Sequence, residues 1–198
     1  PPAVAPYGAL KSLFGTNPIC FGIPSGSKIP FILDTSISMI NRGKIRVAAR
    51  NNQKIPEGVA LDRFGEPTTD AKKALEGVQL PIAGFRGSGL AWMVDILSGV
   101  LTGSSHGGKT KDPFDDFSGP QNMGHLFITI NPKIFIGKNY LKEIKKNISL
   151  VKRLPKAKGF KDIFYPGERK NKRYKKNLNK DIFISSKILK EMDELNAV

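Results

Sequence analysis

Cysteine and histidine, the residue types most used for metal binding and nucleophilic catalysis, are nearly absent from this chain. One cysteine, Cys20, and two histidines, His106 and His125, occur among 198 residues. A single cysteine excludes an internal disulfide framework and a multi-cysteine zinc site. Because no group has metal-ligand spacing, we predict no metal site. The same cysteine usage leads us to expect a reduced, cytoplasmic setting.

Long apolar runs are missing as well. The longest candidate, residues 90–101, is interrupted by Asp95, Ser98 and Gly99 and is shorter than the roughly 20 residues of a membrane-spanning helix. We therefore predict no membrane span. The start, PPAVAPYG, has neither an initiating Met nor a signal-peptide pattern, so we expect a fragment or a processed chain.

Acidic residues are scarce relative to basic ones. The chain has 32 Lys and Arg against 17 Asp and Glu, a net charge of +15. Such a field attracts nucleotides, nucleic acids and acidic membranes alike, so charge alone names no partner. The basic run at 152–180 has few aromatics and no nucleic-acid reader motif, so we disfavour nucleic acid as a partner.

Apolar periodicity and Pro/Gly punctuation predict a mixed α and β chain with helical C-terminal elements. We expect strands at 19–23, 30–33 and 126–130, the last being the clearest. We expect a strand-to-helix turn near Asp34, and helices at 70–75, 88–101, 139–152 and 184–195, the last capped by Ser185 or Ser186. Residues 104–122 are predicted as a polar loop, and residues 154–183 as a basic connector.

The stretch GFRGSGLAWMVDILSGVLTG, residues 84–103, places glycines and Arg86 before an apolar helix. Gly87 and Gly89 could let the backbone approach a phosphate at the helix N-terminus, with Arg86 as the counter-charge. They could equally serve a tight turn that lets the helix pack. The motif is neither a Walker loop nor the G-x-G-x-x-G fingerprint, so the residues alone favour packing.

Two further stretches have a functional and a structural interpretation. The hydroxyls of LDTSISM (Thr35, Ser36 and Ser38) could bind phosphate or ribose, or could cap a helix. In YPGERKNKR, Glu168 could hold ribose hydroxyls and Arg169 could hold phosphate, or the segment could be a solvated basic loop.

Six blocks in one order carry a family resemblance: GTNPICFGIPSG, LDTSISMINRGKI, IPEGVALDRFGEPTTD, FRGSGLAWMVDILSGVLTG, GPQNMGHLFITINP and YPGER. The series resembles the malate/L-lactate dehydrogenase family, whose members do not use a Rossmann fold and include ureidoglycolate dehydrogenase, sulfolactate dehydrogenase and diketogulonate reductase. The resemblance runs over nearly the entire chain.

The resemblance implies an α/β (α+β) fold in which a mixed, largely antiparallel sheet with flanking helices binds NAD or NADP. It implies a cofactor-binding domain at 1–135, a C-terminal helical segment at 136–198, a homodimeric enzyme and a small 2-oxo or 2-hydroxy acid substrate. By motif position, the cofactor contacts are Leu33, Asp34, Thr35, Ser36, Ile37, Ser38, Met39, Arg86, Gly87, Gly167, Glu168 and Arg169. Lysine is the residue that the resemblance leads us to expect at position 86.

The family's catalytic histidine and carboxylate-binding arginine belong to a helical N-terminal portion, and this chain begins beyond both. Hydride transfer to a ketone needs a general acid within hydrogen-bond reach. Neither His106 nor His125 matches the catalytic motif, so we assign no catalytic residue. The chain is therefore predicted to be part of a 2-hydroxy-acid dehydrogenase, inactive by itself. The alternative is a non-catalytic nucleotide-binding or interaction module. Either way we expect exposed apolar surface.

Overall fold

The chain divides into two structural units. The structure is a computed structural model that describes residues 1–196. β1 (Ile19–Ile23) and β2 (Phe31–Thr35) form a two-stranded sheet. Unit 1 comprises Pro1–Phe21 and Leu33–Ile134, and unit 2 comprises Gly22–Ile32 and the residues from Phe135 onward. The division at residue 135 into a cofactor-binding domain and a helical segment stays a prediction.

One half of unit 1 is a small α/β core. Helix α1 (Arg42–Arg50) packs on α2 (Ala71–Glu76) beside the antiparallel pair β3 (Ala60–Leu61) and β4 (Val78–Gln79). Ile45, Ile55 and Val59 are buried between them, each at most 5% exposed. Asp70 caps α2, because its carboxylate accepts the N–H groups of Lys72 and Lys73.

The other half of unit 1 surrounds α3 (Phe85–Asp95), which continues as a π-helical stretch over Ile96–Val100. Val4, Phe14, Ile37 and Ala91 form its core, and all four are at most 1% exposed. This arrangement places the residues that follow β2 directly against the helix, which positions the candidate site described below.

Unit 2 is mainly helical. Its helices are α4 (Lys133–Ile136), which begins at the unit boundary and runs into a 3-10 turn at Gly137–Asn139, then α5 (Tyr140–Arg153), α6 (Glu168–Asn177) and α7 (Ser186–Asn196). Tyr165 is its most deeply buried large side chain, at 9% exposed. The ring of Tyr165 stacks on Phe31 at 6.3 Å, and its hydroxyl donates to the Ile29 carbonyl at 3.0 Å.

Several sequence predictions are confirmed. The strand at 19–23 is observed, and so are the helices predicted at 70–75 and 139–152 within a residue or so. Ser185 lies at the start of α7, where its hydroxyl accepts the Ile188 N–H at 3.4 Å.

None of the helices described in residues 1–196 combines the length and the apolarity that a membrane span requires.

Several other predictions about strands and helices are wrong. Residues 126–130 form no strand, because nothing in the described chain pairs with them, and Phe127 is 89% exposed. Asp34 lies inside β2, and α1 begins later, after Asn41, so neither Asp34 nor the serines after it cap that helix. The second strand lies at Phe31–Thr35 rather than 30–33. α3 begins at Phe85 rather than near 88, and α6 forms inside the predicted connector.

Candidate functional site

The N-terminus of α3 has no side-chain cap. Gly84 precedes the helix with φ of +56°, a left-handed conformation that glycine adopts without strain, and as the N-cap residue it offers no side-chain hydrogen bond to the first turn. Arg86 lies in this first turn and is exposed. An uncapped helix N-terminus with a nearby guanidinium is a chemically suitable anion site.

Packing requires glycine at position 87 but not at position 89. A Cβ on Gly87 would lie 1.7 Å from the Ile82 carbonyl oxygen, so glycine is required there for packing within the chain. A Cβ on Gly89 would meet nothing within 4 Å. The packing interpretation therefore holds for Gly87, whereas the fold of the described chain gives no reason for glycine at 89.

The segment from Leu33 to Met39 is held alongside residues 80–82. Ile37 accepts the Ile82 N–H at 2.8 Å, and Met39 donates its N–H to the Leu80 carbonyl, also at 2.8 Å. Ile37 and Ser38 are buried, whereas Met39 is exposed. The same Ile82 lies against Gly87, so the structure brings the Ile37–Met39 end of this segment and the start of α3 together through residues 80–82.

The hydroxyl side chains of this segment bond within it. The Thr35 hydroxyl donates to the Ser36 carbonyl at 3.0 Å, and the hydroxyls of Ser36 and Ser38 are 3.1 Å apart. Leu33 and Asp34 are exposed on β2. These hydroxyls keep the capacity to bond a ligand, because each can donate one bond and accept two.

A cavity of about 650 Å³ lies beside the α3 N-terminus. Met39, Leu80 and Gly84 contribute to its wall, so one predicted contact, Met39, borders it together with the glycine that precedes α3. Arg86 and Gly87 do not line it. Tyr7 lines it as well: the Tyr7 N–H donates to the Ser88 hydroxyl at 3.0 Å, and its ring meets Phe85 edge-on at 6.2 Å. Sequence reasoning missed Tyr7, whose only signal is its place in the APYG turn.

In unit 2 the predicted residues Gly167, Glu168 and Arg169 lie at the start of α6. Gly167 has φ of +96°, and a Cβ there would lie 2.8 Å from the Pro30 carbonyl oxygen, so glycine is required at this turn. Glu168 bonds through both carboxylate oxygens, to Lys152 and to the Tyr165 N–H. Arg169 is exposed.

Both histidines contact neighbouring groups of the protein and lie away from the cavity at α3. His106 is half-buried with Nδ1 3.0 Å from the Ser104 carbonyl oxygen, and the His125 ring lies 6.3 Å from that of Phe127. Neither borders the cavity at α3. Among residues 1–196, no cluster of three or more His, Cys, Asp or Glu side chains could hold a metal ion.

Residues 1–193 match the family model described as malate/L-lactate dehydrogenase. The chain belongs to the malate/L-lactate dehydrogenase family. It is 38% identical over 197 residues to the malate/(S)-sulfolactate dehydrogenase of Methanothermus fervidus, covering 98% of this chain and 56% of that protein. It is also 39% identical over 145 residues to the (2R)-3-sulfolactate dehydrogenase (NADP(+)) of Chromohalobacter salexigens, covering 73% of this chain and 43% of that one.

The fold agrees with this membership of the malate/L-lactate dehydrogenase family. The solved sulfolactate dehydrogenase from Methanocaldococcus jannaschii superposes with a TM-score of 0.84 at 38% identity, covering 98% of this chain and 55% of that one. These findings confirm the predicted family and the mixed, non-Rossmann fold class. The chain spans about half the length of the relatives that it matches.

Proposed function

We propose that this chain is the cofactor-binding part of an NAD(P)-dependent oxidoreductase that interconverts 2-hydroxy and 2-oxo acids. Family membership supports the class of reaction. The observation that supports cofactor binding by this chain is the α3 N-terminus: an uncapped helix end with exposed Arg86, bordering a cavity of about 650 Å³.

The residues present fit the charge and shape of a dinucleotide. A pyrophosphate needs cations and free N–H donors, which Arg86 and the first turn of α3 supply. An aromatic or apolar ring needs an apolar wall, which Tyr7, Met39 and Leu80 supply. By the family resemblance, Gly167, Glu168 and Arg169 at the start of α6 in unit 2 stay proposed cofactor contacts.

When bound, NADH or NADPH would supply the hydride for reduction and the oxidised cofactor would accept it in the reverse reaction, and the residues of this chain would bind and orient the cofactor. We assign none of them to proton transfer, because the walls of the α3 cavity carry no histidine or carboxylate. We propose that the remaining length of the relatives corresponds to a portion that supplies the proton donor and the substrate-carboxylate contact. A homodimeric, cytoplasmic enzyme acting on a small 2-oxo or 2-hydroxy acid completes the proposal.

The second candidate is a non-catalytic nucleotide-binding module. It is favoured by the same observation that the cavity wall carries no histidine or carboxylate. The two functions share cofactor binding and differ in turnover. They are separated by combining the chain with the part of a relative that lies outside the matched length and testing for 2-oxo-acid-dependent oxidation of NADH or NADPH.

The first experiment is a fluorescence titration of the folded chain with NADH and with NADPH. Arg86→Ala is expected to raise the Kd at least tenfold, because a hydrogen bond to a charged group contributes about 1.5–3 kcal/mol. Arg86→Lys should retain part of the affinity, since it keeps the charge but not the bidentate geometry. Arg50→Ala is the matched control: it removes one exposed unit 1 arginine at the end of α1, a helix that does not line the cavity. Absence of saturable binding by a chain with native circular dichroism would refute the cofactor assignment.

A further inference from the structure

Helix α3 and its π-helical continuation carry apolar side chains on two sides. The side that faces the core of unit 1 consists of small or medium-sized residues: Gly87, Ser88, Ala91 and Val94. The opposite side carries larger apolar residues, and Trp92 and Ile96 are 61% and 46% exposed. A soluble protein normally covers a helix that is apolar all round. The exposed side of α3 therefore has the character of an interaction surface.

The exposed side of α3 forms a groove of about 320 Å³ on the surface of unit 1. Five residues, spaced three or four apart along one helix face or adjacent to it, line this α3 groove: Gly89, Trp92, Met93, Ile96 and Leu97. All five are glycine or apolar. Asp95, the acidic residue of α3, accepts the Gly107 N–H at 3.0 Å instead of lining the groove. The α3 groove therefore suits an apolar occupant.

Gly89 lies at the N-terminal end of the α3 groove. Glycine weakens the interior of a helix relative to alanine, and a Cβ at this position would meet nothing within 4 Å. A glycine on a helix surface lets a second helix approach closely, because the distance between two packed helices depends on the side chains at their contact. Gly89 is therefore suited to the packing of another segment against α3.

The relatives indicate which segment this is. The solved sulfolactate dehydrogenase from Methanocaldococcus jannaschii contains the fold of this chain together with further polypeptide, since the match covers 55% of that protein. A second copy of this chain is a weaker candidate, because each copy has a net charge of +15 and two such copies repel each other.

We infer that the α3 groove is the docking surface for the polypeptide that makes up the unmatched length of the relatives. Its occupant is the apolar side of a helix in that polypeptide, which packs over Gly89 and covers Trp92 and Ile96. This inference rests on the further portion assumed in the proposed function. It does not depend on nucleotide binding, so its test contains no cofactor.

Trp92 is the only tryptophan of the chain, so 5-fluorotryptophan labels the α3 groove alone. The labelled chain is titrated with the unmatched portion of the Methanothermus fervidus relative, and the matched half of that relative serves as the positive control. We expect a saturable change in the ¹⁹F chemical shift of Trp92. We also expect its shift difference between H₂O and D₂O to shrink, because docking removes the ring from solvent.

Two variants test the walls of the α3 groove. Ile96→Gln should raise the Kd for the added portion about fivefold or more, because an apolar contact is lost. Gly89→Leu fills the groove and should raise this Kd roughly tenfold, although the chain itself has room for the side chain. Val47→Gln, at an exposed position of α1, is the control for Ile96→Gln and should leave the Kd unchanged. Circular dichroism and urea denaturation verify that each variant is folded.

Three results would overturn the inference. One is association that leaves the Trp92 resonance and the effects of both groove variants at zero. Another is association by the matched half of the relative but not by this chain. The third is a Trp92 shift that depends on the concentration of the chain alone, which would assign the α3 groove to a second copy. None of these results affects nucleotide binding. Conversely, a folded chain that binds neither NADH nor NADPH but docks the added portion would refute the proposed function and leave this inference standing.

Discussion

Gly87 and Gly89 lie in the same helix but have different surroundings, so alanine substitutions at the two positions form a matched pair of variants. Gly87→Ala places a methyl group 1.7 Å from the Ile82 carbonyl oxygen, so the start of α3 must move. We expect a loss of about 2–3 kcal/mol in the free energy of unfolding, typical of overpacking. Gly89→Ala meets nothing within 4 Å and should gain up to about 1 kcal/mol from helix propensity.

Urea denaturation measures the free energy of unfolding of both glycine variants. Titration with NADH and NADPH then measures whether Gly89→Ala changes the Kd. If the nucleotide approaches the backbone at 89, the more stable variant should bind it more weakly. Equal stability losses in the two alanine variants would contradict the described packing of α3.

The sequence limits what can be predicted at single residues. The motif FRGSG shows that glycines precede an apolar helix, but nothing in the sequence distinguishes Gly87 from Gly89. Only the position of Ile82 separates a glycine required by packing from one that is not. Tyr7 was missed for the same reason: its proximity to Phe85 and Ser88 joins residues about 80 positions apart.

Among the helices and strands, sequence patterns predict those elements that depend on interactions between residues close together in the chain. The helix at Ala71–Glu76 follows a capping Asp70, and α5 follows an apolar repeat of three to four residues. The strand predicted at 126–130 failed because a strand needs a hydrogen-bonded neighbour, which no local pattern encodes. α6 was missed because its ten residues carry no apolar stripe, so helical periodicity gave no signal.

The cap of α2 predicts a pH dependence. The N–H groups of Lys73 and Lys72 donate to the Asp70 carboxylate and lower its pKa. Because the folded pKa is lowered, this stabilisation is fully present above the ordinary carboxyl pKa and is lost as the pH falls through the lowered value. Asp70→Ala should therefore reduce the melting temperature at pH 7, and the difference from wild type should disappear in acid.

Asp70→Asn is the control for this pH dependence, since asparagine caps a helix without titrating in this range. It should retain most of the stability at pH 7. Thermal melts across the acid range measure all three proteins. A gap between wild type and Asp70→Ala that stays constant down to the lowest pH would contradict the role of the ionised cap.

We expect the segment 126–130 to tolerate polar substitution, because its side chains are exposed. Phe127 is 89% exposed, so Phe127→Ser should change the free energy of unfolding by no more than about 0.5 kcal/mol. Phe14 is 1% exposed in the core beside α3, and Phe14→Ala should cost about 3–5 kcal/mol. Denaturant titration compares the two. A large loss for Phe127→Ser would show that this segment is packed.

At the scale of the whole molecule, charge is divided unevenly between the two units. Unit 1 has 13 basic and 10 acidic residues, whereas unit 2 has 19 and 7, so +12 of the net +15 belongs to unit 2. The α6 helix alone carries six cations in ten residues. Several of these are three or four positions apart, where like charges repel each other and weaken a helix. A solvated cationic face of this kind attracts any polyanion.

This division predicts how the chain is retained on a heparin column. Replacing Lys172, Lys175 and Lys176 of α6 with Gln should lower the salt needed for elution and reduce the slope of log retention against log salt by roughly two to three. The control replaces three exposed lysines of unit 1, namely Lys44, Lys72 and Lys73, and removes the same net charge. If the cationic field is concentrated on unit 2, the control shifts elution much less, because exposed charges beyond about 10 Å are screened at 0.1 M salt. Equal shifts would show that heparin senses only the total charge.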